Sequence, residues 1–194
     1  MSKSDPAASK RERNKTIRWV VTIFIVTIFI SGAIWLLSDV IMENSSVFVA
    51  FLILLAIILI GIIFDIIGMA VASADEKPFH SMAARKVPCA QESIALLRNA
   101  ERVSSICNDV VGDICGVVSG SASATIAVQI ISNFDFSWPQ IVSLAMSALA
   151  AGLTVGGKAI GKSFAVNSST AIVHSVGKCI HWLHSLTKPK KKTK

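Results

Sequence analysis

Residues 19 to 38 carry no charged side chain, and residues 47 to 74 carry only one, Asp65. An α-helix rises about 1.5 Å per residue, so an uncharged run of about twenty residues spans the roughly 30 Å hydrocarbon core of a bilayer. Two further runs follow. Past Asp113 the chain is uncharged to Phe134, and from Ser137 to Gly157 it is uncharged again. In lipid every backbone donor and acceptor must be satisfied within the segment, which leaves helices as the spanning structure for runs of this kind. The fold class expected is therefore an all-α integral membrane protein. Its four transmembrane helices fall at about 19–38, 47–74, 104–131 and 139–158. With 53% hydrophobic residues, 16% charged residues and a mean hydropathy of +0.63, little is left for a soluble catalytic domain, so the chain is not expected to be an enzyme.

The flanking charge sets an orientation. Of the 19 Lys and Arg, six precede the first run, five lie between the second and third, and eight follow Gly157. The two remaining loops hold Asp39, Glu43 and Asp135 but no Lys or Arg. By the positive-inside rule this predicts a multi-pass protein of the plasma membrane with both termini cytoplasmic. Cleavage as a signal peptide after Ser31-Gly32-Ala33 is the alternative for the first run, but the apolar stretch continues through Leu37, which favours retention. Residues 1–18 read as a basic cytoplasmic arm and 186–194 as a polybasic tail, flanking a transmembrane domain over 19–185. The net charge of +7 sits beside apolar runs, which points to anionic lipid headgroups and away from nucleic acid.

Between the second and third runs, Pro78 and Pro88 break a polar interlude in which Ile94, Leu97 and Val103 recur at helical spacing. Two short amphipathic helices on the membrane surface are expected over 78–103. A third follows over 168–186, capped at Asn167 or Ser168, with Ile172, Val176, Ile180 and Leu183 toward lipid and His174, Lys178 and His181 opposite. Cys89, Cys107, Cys115 and Cys179 have no paired spacing and read as free thiols.

The chemistry concentrates in Asn108 to Gly120. At 100° per residue Asp109, Asp113, Gly112, Gly116 and Gly120 fall within about 100° of one another on a helix, with Ile114 and Val118 opposite. That face is expected to point into the bundle, its glycines allowing close helix approach. Gly152 and Gly156 repeat the small-residue pattern in the fourth run. A carboxylate inside a bilayer costs about 2.5 to 3.5 kcal/mol on insertion scales, so Asp65, Asp109 and Asp113 need a partner. Asp65 and Asp113 lie at similar depth, each roughly 14–15 Å from the cytoplasmic side. Three readings are open. The acids, with Asn108, form a hard-cation site suited to Mg2+; or Lys158 or Lys162 neutralises an Asp as a structural ion pair; or an Asp is protonated and hydrogen-bonded. Cys179, His181 and His184 match no zinc spacing and read as interfacial side chains, and no phosphate-binding glycine loop follows a strand.

Three stretches resemble the transmembrane domain of the cyclin M, CorB and CorC family of magnesium and cobalt transport proteins. Ile63 to Ala83 is similar to that family's first intramembrane segment and the polar helix after it. Glu101 to Gly120 is similar to its second, with Gly112-Asp113 at a Gly-Asn pair. Thr154 to Asn167 is similar to its Gly-Glu-x-x-Pro-Lys-Ser turn, with Gly157, Lys158, Gly161, Lys162 and Ser163 at those places. The resemblance covers roughly residues 47 to 185 and leaves the first membrane helix as an addition. It implies a homodimer and a dehydrated Mg2+ or Co2+ site at Asp65, Asp113 and the backbone of Gly157. The departures bear on that site: Lys158 stands where the family has Glu, Gly161 where it has Pro, and Asp where it has its ligand Ser and Asn. No room remains for nucleotide-sensing CBS domains, so regulation by ATP is not expected. The rival to a transporter is a non-transporting scaffold or partner subunit, with Lys158 locking the acids.

Overall fold

A computed structural model of the chain describes residues 6–43, 45–134 and 138–187, and these are helical almost throughout, with no strand among them. The elements are α1 (Pro6–Glu43), α2 (Val47–Ser73), α3 (Lys77–Ala84), α4 (Ala90–Arg98) and α5 (Ala100–Ser105). A π-helix over Ile106–Gly112 then leads into α6 (Asp113–Asn133), followed by α7 (Pro139–Asn167) and α8 (Ser169–Thr187). Four stretches are long and apolar enough to cross a membrane: Thr16–Met42, Val47–Ser73, Ala100–Asn133 and Pro139–Asn167. The protein is thus an all-α membrane protein in architecture, built on α2 at the centre, with α6 and α7 against it and α1 against α6.

Several boundaries differ from the sequence expectation. The basic arm is helical from Pro6, because α1 propagates outward through good helix formers and Pro suits the first turn, where its missing N–H costs nothing. Residues 1–5 and 188–194, the tip of the arm and most of the polybasic tail, lie outside the described residues, as does Asp135. The third crossing starts at Ala100, so Val103 belongs to it and not to a surface helix. The fourth runs to Asn167 without a turn at Gly157. Gly157 and Gly161 lie inside α7, where it meets α2: a Cβ on Gly161 would stand 2.7 Å from Ile66 Cγ1, and one on Gly157 would run into Ile62. Lys158 and Lys162 therefore belong to a spanning helix and not to its flank.

Three apolar clusters hold the bundle, two of them toward its ends. Near the α1–α2 turn, Met42, Ala50, Leu54, Ile58, Ala122 and Ile126 are buried together. At the other end Ala70, Val71, Phe79, Leu97, Ala165 and Val173 tie α3, α4 and α8 to α2 and α7. Here α8 departs from the face expected for it. Ile172 packs into this protein cluster instead of lipid, Val173 and Gly177 are buried, and Ser93 of α4 donates to the Val173 carbonyl at 3.4 Å. Gly177 permits this, since a Cβ there would overlap the Ser93 hydroxyl. Lys86 and Cys89, at φ 56° and 70°, turn the chain between α3 and α4.

Candidate intramembrane charge site

The Asp113 N–H reaches back five residues to the Asn108 carbonyl, yet Asp109, Asp113 and Gly120 still share one face with Ile114 and Val118 opposite, as the 100° phase expects. Val110, Ile114 and Val118 turn inward and pack with Ile23 and Ile34 of α1 and Ile57 of α2. Asp109, Asp113 and Gly120 turn outward. The expectation that the acidic, glycine-bearing face points into the bundle is corrected accordingly: nothing lies within 4 Å of where a Cβ would sit on Gly116, Gly120, Gly152 or Gly156. Close approach occurs instead at Gly61, Gly68 and Gly112. A Cβ on Gly61 would stand 2.8 Å from Cys115 Cβ, and one on Gly112 would stand 3.4 Å from Asp65 Oδ1.

At that approach α2 contributes Asp65, whose side chain is only 8% exposed. The cation that meets it comes from α7: Lys158 Nζ lies 3.4 Å from Asp65 Oδ1 and 3.7 Å from Asp113 Oδ1. The same ammonium donates to the Gly112 carbonyl at 3.3 Å, at the last residue of the π-helix. Lys158 thus joins three spanning helices at one point. The two carboxylates expected at similar depth do converge, and they converge on the lysine. They are not equivalent, since the Asp113 side chain is 72% exposed at the edge of the bundle.

Around this centre the other candidates separate. Asn108 donates from Nδ2 to Ser104 Oγ at 3.2 Å, while its Oδ1 is buried without a hydrogen-bond partner. That oxygen occupies space left by Gly68, one turn along α2 from Asp65. Asp109 is exposed and has no hydrogen-bond or ion-pair partner among the described residues. Gly157 faces Ile62, so it acts in helix packing. Lys162 is exposed one turn beyond Lys158. No three His, Cys, Asp or Glu side chains come together as a metal-binding group among the described residues. The oxygens at the centre, two carboxylates and a carbonyl, are of the kind a hard cation takes, and an ammonium stands among them.

A second polar contact, missed in the sequence, closes the α4–α8 junction. His181 Nδ1 meets Glu92 Oε1 at 2.7 Å, and this hydrogen bond holds the Glu92 carboxyl below its usual pKa of 4.5. Both residues lie on polar faces of amphipathic helices, but nothing in the order of the chain brings residues so far apart together. The π-helix likewise has no local sequence mark. All four cysteines are free, with only Cys179 exposed. In comparisons with known proteins, no family model, no curated protein and no solved structure matches the chain.

Proposed function

We propose that the chain is a non-transporting membrane scaffold or partner subunit whose intramembrane acids are neutralised from within by Lys158. The observation that carries this reading is the lysine ammonium lodged between Asp65, Asp113 and the Gly112 carbonyl. An ammonium held by two carboxylates supplies the compensation a buried charge requires, and it links α2, α6 and α7 without any added ion.

A second reading is supported by the donor set. Two carboxylates, the Gly112 carbonyl and the unpartnered Asn108 Oδ1 are oxygen ligands, and Mg2+ takes such ligands while keeping several waters. In that reading the chain transports or binds a divalent cation, Mg2+ or Co2+, as its resemblance to the cyclin M, CorB and CorC transporters implies, and Lys158 withdraws when the cation enters. The exposed Asp113 and the uncovered Gly120, Gly152 and Gly156 are consistent with a homodimer that would shield them. Placement in the plasma membrane with cytoplasmic termini and contact with anionic lipid rest on the flanking charge.

The two readings give opposite signs in one experiment, the thermal unfolding of purified protein with and without Mg2+. A ligand at about 100 times Kd that binds only the native state adds about 2.7 kcal/mol. The scaffold reading expects no Mg2+ effect in the wild type and a strongly destabilised Lys158→Ala. A wild type stabilised by Mg2+, with the effect strengthened in Lys158→Ala and lost in Asp65→Asn, overturns it in favour of the cation site.

A further inference from the structure

Two charges inside the spanning stretches are left over by the Lys158 centre. Asp109 sits in the π-helix within the Ala100–Asn133 span, and Lys162 sits in α7 within the Pro139–Asn167 span. Both are exposed, and neither the carboxylate nor the ammonium has a hydrogen-bond or ion-pair partner among the described residues.

Their levels follow from the contact beside them. Lys158 Nζ lies 3.7 Å from Asp113 Oδ1, and α6 and α7 pack together across the short connection 134–138, so they run in opposite directions. Asp109 lies about one turn from Asp113, and Lys162 about one turn from Lys158, each away from that connection. The two leftover charges therefore stand at about the same level on neighbouring helices without pairing with one another. Exposed apolar residues such as Val117 and Val155 suit lipid and identify no partner. A lone carboxylate inside a bilayer does, because it is costly without a counter-charge.

The chain carries that counter-charge itself, since the same surface holds one unpaired charge of each sign. Copies in a membrane share one orientation, so a two-fold axis between them runs along the helices and brings Asp109 of one copy to the level of Lys162 of the other. Down the exposed side from Asp109 come Asp113, Val117, Gly120 and Ala124, and nothing lies within 4 Å of where a Cβ would sit on Gly116 or Gly120. Small residues in such a row let helices approach closely. We propose that the π-helix, α6 and α7 form the interface of a two-fold dimer in which Asp109 of each copy pairs with Lys162 of the other. Asp113 is then shielded at the interface while it keeps Lys158. The proposal rests on the homodimer considered above, and it holds whether Lys158 or a cation neutralises Asp65.

The test is charge exchange between copies. Full chains with two different affinity tags are produced together in one membrane, solubilised in maltoside and purified through one tag. Wild-type copies should co-purify. Asp109→Lys in both copies, or Lys162→Asp in both, sets like charges opposite each other twice and should lower co-purification by about tenfold or more. Asp109→Lys in one copy together with Lys162→Asp in the other should restore it, because one pair is then native and the second is the same pair reversed. Should either swap fail to fold, Asp109→Cys in one copy and Lys162→Cys in the other, with Cys179→Ser in both, should oxidise to a disulfide-linked dimer. Wild-type copies that do not co-purify, swaps that leave co-purification unchanged, or a mixture no better than either swap alone overturn the proposal. So does a cysteine pair that never links two copies. These outcomes read Asp109 and Lys162, so they are separate from the Mg2+ melting experiment, which reads Asp65 and Lys158.

Discussion

At the scale of single residues, Asp65 and Asp113 illustrate how burial weights a charge. Both meet the same ammonium, but the Asp65 side chain is 8% exposed and that of Asp113 is 72% exposed. Removing one partner of a buried pair typically costs about 3 to 5 kcal/mol, while exposed pairs contribute about 1 kcal/mol or less. Lys158→Ala should therefore destabilise strongly, because it strands Asp65, and Asp113→Asn should change the melting temperature little. Replacing both charges, as in Asp65→Asn with Lys158→Met, should recover most of the loss, since no buried charge is then unpaired. Chemical or thermal denaturation of the four proteins checks the order, and a double variant as unstable as Lys158→Ala would mean that the loss is one of packing. The Glu92–His181 contact gives a pH dependence of definite sign. The lowered pKa means that the folded state favours the Glu92 anion, so the contribution is complete above the ordinary value of 4.5 and is lost as pH falls through the folded value. Melting temperatures of wild type and Glu92→Gln should differ at pH 6 and converge below pH 4.5. A gap that stays constant across that range would remove the electrostatic account.

At the scale of elements, the glycines divide into those that hold helices together and those that face outward. Gly61 meets Cys115 Cβ, an atom fixed by its own backbone, whereas Gly157 meets the mobile tip of Ile62. Overpacking typically costs about 1 to 3 kcal/mol. Gly61→Ala is expected in that range, Gly157→Ala below it because Ile62 can change rotamer, and Gly120→Ala near zero for the isolated chain. Melting curves in detergent test the ranking, and a Gly120→Ala as costly as Gly61→Ala would reveal a second copy packed on α6. The four crossings were legible from uncharged length alone, and so was Asp65 as the single charge within the second. Which face of Asn108 to Gly120 turns inward was not, because Ile114 and Val118 suit packing against α1 and α2 as well as they suit lipid. The length of α7 was hidden for a related reason. Gly157, Lys158 and Gly161 look like the end of a span when read along the chain, and become a contact surface only once α2 lies beside them. The same holds for α8, whose buried stripe runs through Val173 and Gly177 against Ser93, with Ile172 beside it.

For the molecule as a whole, the orientation follows from where the fixed charges end up after folding. Lys158 is drawn into the bundle, so it no longer counts as flanking charge, but the asymmetry survives its loss. The α3–α4 region carries Lys77, Arg85, Lys86 and Arg98, the arm carries six basic residues, and residues 39–46 and 132–140 carry none. Lys and Arg near helix ends are retained on the cytoplasmic face. The ends of α2 and α7 that meet α3, α4 and α8 should thus be cytoplasmic, and the α1–α2 turn should face outside. Cys179 offers a natural reporter, being the one exposed thiol among four, while Cys89, Cys107 and Cys115 are buried. In intact cells a membrane-impermeant maleimide should leave wild-type protein unlabelled and should label Cys179 only after the membrane is opened. With Cys179 replaced by Ser, a cysteine introduced at Ser45 in the α1–α2 turn should react from outside, and one introduced at exposed Lys86 should not. Labelling of Cys179 in unbroken cells together with protection at Ser45 would invert the protein in the membrane.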